Sequence, residues 1–399
     1  MIDNFEAAKL SFLEGLAHYQ AQRLAEAQSC FEAALALVPG RVSTLTNLGA
    51  TRVKLGRFDA ALPVLEQACA SEPANLEAWS YRALALAGLA RDVEALACFD
   101  RALAIDRSGA ALWLHSAQSQ LRLDQKQAAL ASFDQALAID PSHANAWSDR
   151  GSLLRELGRF DDAADSFEKA IAMGADAGLN GYYLASVRGE KGPATAPRAY
   201  VERLFDDYAA EFQTHLVNVL HYRAHEVLIQ HLLRLHPRRF RSVFDLGCGT
   251  GLCGPLIKAV AEQVDGLDIS KAMLEQARQL GVYGELIHAD ALQYLKTATR
   301  SDDLVLAADV FIYVGELAAL FDAIVKNMAP GGLFCFTLEL ATNGMDVQLL
   351  PSLRYAHSEA YVRCLALASG LEVDTVIAAA LREDQGQALA GLYVILRKP

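Results

Sequence analysis

The first 177 residues place apolar and polar positions at a helical step, and the pattern recurs. Aligned on the phrase FEAALALVP, five segments superpose: SCFEAALALVP (29–39), PVLEQACASEP (63–73), ACFDRALAIDR (97–107), ASFDQALAIDP (131–141) and DSFEKAIAMGA (165–175). A bulky residue returns every 34 positions, at Phe31, Leu65, Phe99, Phe133 and Phe167. A small one keeps the same step at Ala27, Ala61, Ala95, Ala129 and Ala163, and Trp79, Trp113 and Trp147 hold a third register after Leu45. A fixed period of this length predicts stacked helix pairs. The small residues let paired helices approach, and the bulky ones fill the gap to the next pair. Proline at 39, 73 and 141 ends the second helix of a pair.

From residue 242 the pattern changes to short apolar runs separated by amphipathic stretches. The candidate strands are 242–247, 263–269, 284–290, 303–309, 332–339, 371–381 and 388–398, with helical segments between the first five. This alternation predicts a mostly parallel sheet covered on both faces. The turn REDQGQ joins the last two strands as an antiparallel hairpin. Between the two patterns, GLNGYYLASVRGEKGPATAPRAY (178–200) starts as a helix and breaks at glycine and proline. It reads as a capping helix and linker, with a domain boundary near residue 195.

Composition narrows the function classes. A chain of 399 residues can bury more than one core, and a formal net charge of −12 argues against nucleic-acid binding. Seven cysteines without paired spacing predict reduced thiols in a cytoplasmic protein. The acidic amino terminus lacks the features of a signal peptide, and no apolar stretch is long enough to cross a bilayer. His221 and His225 form an i, i+4 pair, but no matching acid or cysteine accompanies them, so no metal site is expected.

The segment VFDLGCGTGLCG (243–254) carries the chemistry. Read as Gly249-Gly251-Gly254 it offers a dinucleotide fingerprint and a dehydrogenase. Read as Asp245-Gly247-Gly249-Gly251, it puts an acid at the strand end directly before the turn. Acids also end the next two strands, Asp268 in VDGLDIS and Asp290 in IHADAL. A lone strand-end aspartate commonly caps the following helix; three in succession point to a ligand.

The 34-residue period resembles the tetratricopeptide repeat, five copies over residues 1–177. The second glycine register resembles motif I of class I S-adenosylmethionine-dependent methyltransferases, a resemblance covering residues 201–399. Together they imply an amino-terminal α-solenoid followed by a Rossmann-like domain whose seven-stranded sheet ends in an antiparallel hairpin. The resemblance implies that Asp245, Gly247, Cys248, Gly249 and Gly251 line the methionine portion of S-adenosylmethionine. It implies that Asp268 and Ile269 meet the ribose, and Asp290 and Ala291 the adenine. VERLFDDYAAEFQTHLV (201–217) is similar to a family lid helix, which would bring Tyr208 over the cofactor; the same aromatics make an ordinary apolar helix face.

The fourth strand ends in AADVFIYVGEL, so Asp309 and Tyr313 are expected at the catalytic centre, Asp309 also touching the cofactor. LPSLRYAHSEAYV (350–362) reads as a loop forming the acceptor wall. There Arg354 and Tyr355 would hold substrate, and His357 would act as base or cap its helix. The implied function is methyl transfer to a protein or peptide gripped by the repeat groove. A small-molecule methyltransferase that uses the repeats for assembly, and a scaffold that only senses the cofactor, are the alternatives.

Overall fold

A computed structural model describes residues 4–214, 222–342, 344–384 and 387–399, and the chain divides into two compact units, Met1–Ala175 and Asp176–Pro399. Among the described residues, the first unit holds ten helices in five consecutive pairs. They run from Asn4–Gln20 with Leu24–Leu37 to Ala144–Glu156 with Phe160–Ala172. The periodic residues build its interior: Phe31, Leu65, Phe99, Phe133 and Phe167 are buried, as are the five periodic alanines.

A further small-residue register runs through Gly15, Gly49, Ala83, Ala117 and Gly151 and sets how closely the paired helices approach. A methyl group added at Gly49 would lie 2.4 Å from Leu65, and one at Gly15 would lie 2.6 Å from the Phe31 ring. Each tryptophan ties down the turn before its own helix. The indole N–H groups of Trp79, Trp113 and Trp147 donate to the carbonyls of Pro73, Arg107 and Pro141 at 3.0, 3.1 and 2.9 Å. The turn inside each pair contains a left-handed residue at the same period: Gln22, Gly56, Ala90, Asp124 and Gly158, with φ between 55° and 72°.

The second unit is one mixed sheet: β1 Phe240–Leu246, β2 Ala261–Asp268, β3 Leu286–His288, β4 Asp302–Ala307, β5 Met328–Leu340, β6 Val347–Leu349, β7 Tyr355–His357, β8 Glu372–Asp384 and β9 Gln387–Arg397. The parallel order is β3-β2-β1-β4-β5; β9 lies antiparallel to β5, and β8 antiparallel to β9. The aromatic cluster Phe311, Phe321, Phe334 and Phe336 belongs to one buried core of this unit, and Leu228, Leu232, Ile257 and Tyr393 belong to another. The order reverses at β1, so the crevice beyond the carboxyl ends of β1 and β4 is the place this topology leaves for a ligand.

Four expectations change. The sheet has nine strands among the described residues, not seven, because β6 and β7 form a short antiparallel pair. β7 pairs with Glu339 and Leu340 at the end of β5, so the segment read as an open loop is pinned to the sheet. The helix Ala177–Arg188, read as a cap on the repeats, groups with the second unit. Its Tyr182 hydroxyl donates to the Leu353 carbonyl at 2.5 Å, and its ring lies 6.2 Å from that of Tyr355. The stretch after it is equally engaged, with Thr195 bridged to Val314 and the Ala196 N–H on the Tyr313 carbonyl. Three buried or half-buried tyrosines in this stretch, Tyr182, Tyr183 and Tyr200, need an apolar surface and find it here, which moves the boundary from 195 to 175/176.

Candidate active site

A cavity of about 720 Å³ opens at the carboxyl ends of β1, β2 and β4. Its floor is the turn after β1. Gly247 and Gly249 both take positive φ, 68° and 54°, which only glycine adopts without strain. At Gly247 there is no room for a side chain, since a methyl group would come within 2.5 Å of Val310. Gly254 is buried in the first turn of the helix Cys253–Lys258, where its missing side chain admits the Tyr283 ring.

The three strand-end acids converge here and are held differently. Asp245 is 1% exposed and accepts a hydrogen bond from the Tyr283 hydroxyl at 2.7 Å. Burial, with the nearby Asp268 charge adding to it, pushes its carboxyl up to about 7. Asp268 accepts from the backbone N–H groups of Gly249 and Ser270, each at 2.8 Å, so the second strand end is tied directly to the glycine turn. Burial raises its pKa while those backbone donors oppose the shift. Asp290 caps the helix Ala291–Thr297 through the Gln293 N–H at 2.9 Å and lines the cavity as well.

The opposite end is built on an ion-pair chain. Arg382, 3% exposed on β8, donates to both oxygens of Asp309 at 2.9 and 3.1 Å and also to Glu339, itself 2% exposed on β5. Glu339 in turn has Arg354 at 3.9 Å. Asp309 sits at φ 61°, a conformation costly for a residue with a side chain, with its N–H on the Thr337 hydroxyl. Tyr313 stands edge-on to Phe205 at 5.4 Å, and burial pushes its phenol up to about 12, so it remains a donor at neutral pH.

Of the expected site residues, Asp245, Gly247, Cys248, Gly249, Asp268, Ile269, Asp290, Ala291, Asp309, Tyr313 and Arg354 line this one cavity. Others do not. Gly251 packs its α-carbon against Leu280 and Tyr283, closing the turn from behind. Tyr355 is buried, its hydroxyl donating to the Pro193 carbonyl at 2.6 Å. His357 is fully buried on β7, stacked on Tyr361 with Nε2 3.1 Å from the Gly315 carbonyl. Burial lowers its pKa to about 4, and it faces the protein interior, so it is neither a base in the cavity nor a helix cap, which Ser358 supplies. The side chain of Tyr208 lies outside the described residues.

Several lining residues carry no local sequence signal. Arg382 falls in a stretch that reads as a hairpin turn, but β8 continues through it to Asp384. Tyr222 and His225 enter from the segment before β1, their rings stacked 5.3 Å apart. Burial lowers the His225 pKa, keeping the ring neutral, and its Nδ1 is buried without a hydrogen-bond partner, as is Oγ1 of Thr250 in the glycine turn.

Residues 243–332 match a family described as "Methyltransferase domain", and residues 6–71, 46–110 and 115–178 match families described as "Tetratricopeptide repeat". The chain is 30% identical over 156 residues to a malonyl-[acyl-carrier protein] O-methyltransferase of Enterobacter lignolyticus, covering 39% of this chain and 57% of that one. It is 30% identical over 117 residues to a trans-aconitate 2-methyltransferase of Paracidovorax citrulli, covering 29% and 44%. The chain thus spans about half the length of the curated relatives it matches. Among solved structures, the N-methyltransferase NodS from Bradyrhizobium japonicum in complex with S-adenosyl-L-homocysteine aligns with a TM-score of 0.35 at 20% identity, over 44% of this chain and 85% of that one. MamA aligns with a TM-score of 0.38 at 20% identity, over 40% and 93%.

Proposed function

The chain joins tetratricopeptide repeats to a methyltransferase domain, and on that premise we propose that it moves a methyl group from S-adenosylmethionine to a protein or peptide acceptor recruited by the repeats. One observation carries the reading: Asp245, Asp268 and Asp290, from three successive strand ends, line one cavity around a glycine turn.

The groups present fit the cofactor. Thr250 Oγ1 and His225 Nδ1 are buried polar atoms that a polar ligand would satisfy. A side chain at Gly247 would need the space Val310 fills, so the turn stays bare of side chains beside the cavity. When bound, the cofactor supplies an electrophilic methyl group, whose carbon–sulfur electron pair stays on sulfur as the acceptor's lone pair bonds to carbon. In this reading Asp268 takes the ribose hydroxyls, Asp290 and Ala291 the adenine edge, and Asp245 the ammonium of the amino-acid portion. Arg382 fixes Asp309, and Asp309 with Tyr313 forms the wall against which the acceptor is oriented. For an in-line displacement, such positioning and the exclusion of water are the main contributions a protein can make.

Calorimetry with S-adenosylhomocysteine tests the cofactor. Affinity is expected to rise as pH passes upward through about 7, because an ammonium partner favours the ionised form of Asp245. Asp245→Asn is expected to lose that dependence together with roughly tenfold or more in affinity. No binding by the wild type overturns the assignment. Transfer of labelled methyl groups into cell lysate tests the acceptor, and label confined to small molecules overturns a protein or peptide.

A further inference from the structure

The arginines that line the cavity are held unequally, and the way Arg354 is held points to the acceptor. Asp245, Asp268 and Asp290 occupy the end assigned above to the cofactor. The arginines that line the cavity, Arg198, Arg203, Arg354 and Arg382, come from the helix Arg198–Thr214, from β8 and from the stretch before β7. Among the described residues, Glu202 pairs with Arg198, Asp309 with Arg382, and Glu339 with both Arg382 and Arg354. Arg382 is saturated by two acids. Arg354 shares Glu339 at 3.9 Å, stands beside the Tyr313 phenol, and keeps its side chain 27% exposed.

The chain also invests unusual structure in aiming Arg354. Leu353, directly before it, is held left-handed at φ 63°, a strained conformation for a residue that carries a side chain. The Leu353 carbonyl is fixed by the Tyr182 hydroxyl, from the helix that opens this unit. Tyr355, directly after it, is locked by its hydroxyl on the Pro193 carbonyl. A guanidinium clamped on both sides, facing a cavity and only partly neutralised, is a binding group for a planar anion.

Resting on the reading of this cavity as a methyl-transfer site, we propose that the acceptor carries a carboxylate that binds Arg354, and that Tyr182 is the positioning residue that aims it. The carboxylate belongs either to a free small acid or to a peptide, and the test separates the two.

The full-length protein is first saturated with S-adenosylhomocysteine and then titrated with glutarate, with its neutral analogue glutaramide, with acetyl-Gly-Gly-Glu, and with acetyl-Gly-Gly-Gln-amide. At least one acid is expected to bind more tightly than its amide, by about tenfold. Glutarate as that acid identifies a free acid, and the peptide identifies a protein-borne one. Arg354→Ala is expected to erase the preference and Arg354→Lys to restore part of it. Tyr182→Phe should reduce it several-fold, with S-adenosylhomocysteine affinity unchanged. Failure of S-adenosylhomocysteine to bind overturns the methyl-transfer reading and the proposal with it. Normal S-adenosylhomocysteine binding with no preference for either acid, or a preference that survives Arg354→Ala, overturns the proposal alone. A preference that survives Tyr182→Phe removes the positioning role.

Discussion

Replacing Arg382 with methionine keeps the length of an aliphatic stem and deletes the charge that links Asp309 to Glu339. Glu339 is 2% exposed, and the charge left to it is Arg354 at 3.9 Å. Breaking a buried ion pair from one side typically costs about 3–5 kcal/mol, because the remaining charge stays buried without compensation. Glu339 accounts for most of that cost, since the Asp309 side chain is 19% exposed and partly screened by solvent. Against a domain stability of about 5–15 kcal/mol, the loss is large but survivable.

Burial already raises the Glu339 pKa, and losing Arg382 raises it further. A carboxyl whose folded pKa lies above its unfolded value holds extra protons when folded, so the variant is expected to lose stability as pH rises from 5 to 8. Hydrogen exchange on peptides from β5 and β8 reads this directly, and opening should become on the order of 10²–10³-fold easier. Tryptophan emission provides the internal control, because the three tryptophans all lie in the repeat unit, at 79, 113 and 147. Adding Glu339→Gln should recover most of the loss. A cost below about 1 kcal/mol, or no recovery in the double variant, would refute the claim that an uncompensated Glu339 carries the effect.

Two more predictions concern stability. His357 has its folded pKa lowered to about 4, so its contribution is present above the unfolded value near 6.5 and lost as pH falls toward 4. The swing is on the order of 3 kcal/mol at full burial, and urea midpoints at pH 7 and pH 4.5 should show it for the wild type and not for His357→Gln. In the repeat unit, Ala90 sits at φ 56° where Gly56 and Gly158 hold the equivalent turns. Ala90→Gly should stabilise that unit by about 0.5–1 kcal/mol, whereas Gly49→Ala should destabilise it by about 1–3 kcal/mol; tryptophan fluorescence in urea distinguishes the signs.

What the chain discloses before folding is local or periodic. The 34-residue step is visible because each repeat restates the same burial pattern, and the acids at 245, 268 and 290 are visible because each follows its own apolar run. Arg382 is hidden because its partners lie 73 and 43 residues away and nothing beside it marks a buried charge. His357 and Tyr355 are misread for a related reason. A three-residue strand gains its identity from pairing with β5, so YAH looks like loop until Glu339 and Leu340 are placed beside it. Gly15, Gly49 and Gly151 share the period of the bulky residues they face, a register present in the text but masked by alanine at 83 and 117.

The hydrogen bond from Tyr182 to Leu353 also fixes where evolution can cut and paste. A recombination event near residue 195 would strip the methyltransferase domain of the phenol that holds its Leu353 carbonyl, and the recipient would inherit a loosened turn there. A crossover at 175/176 keeps that bond within one piece. Repeat arrays of other lengths can then be exchanged in whole 34-residue modules without touching that bond.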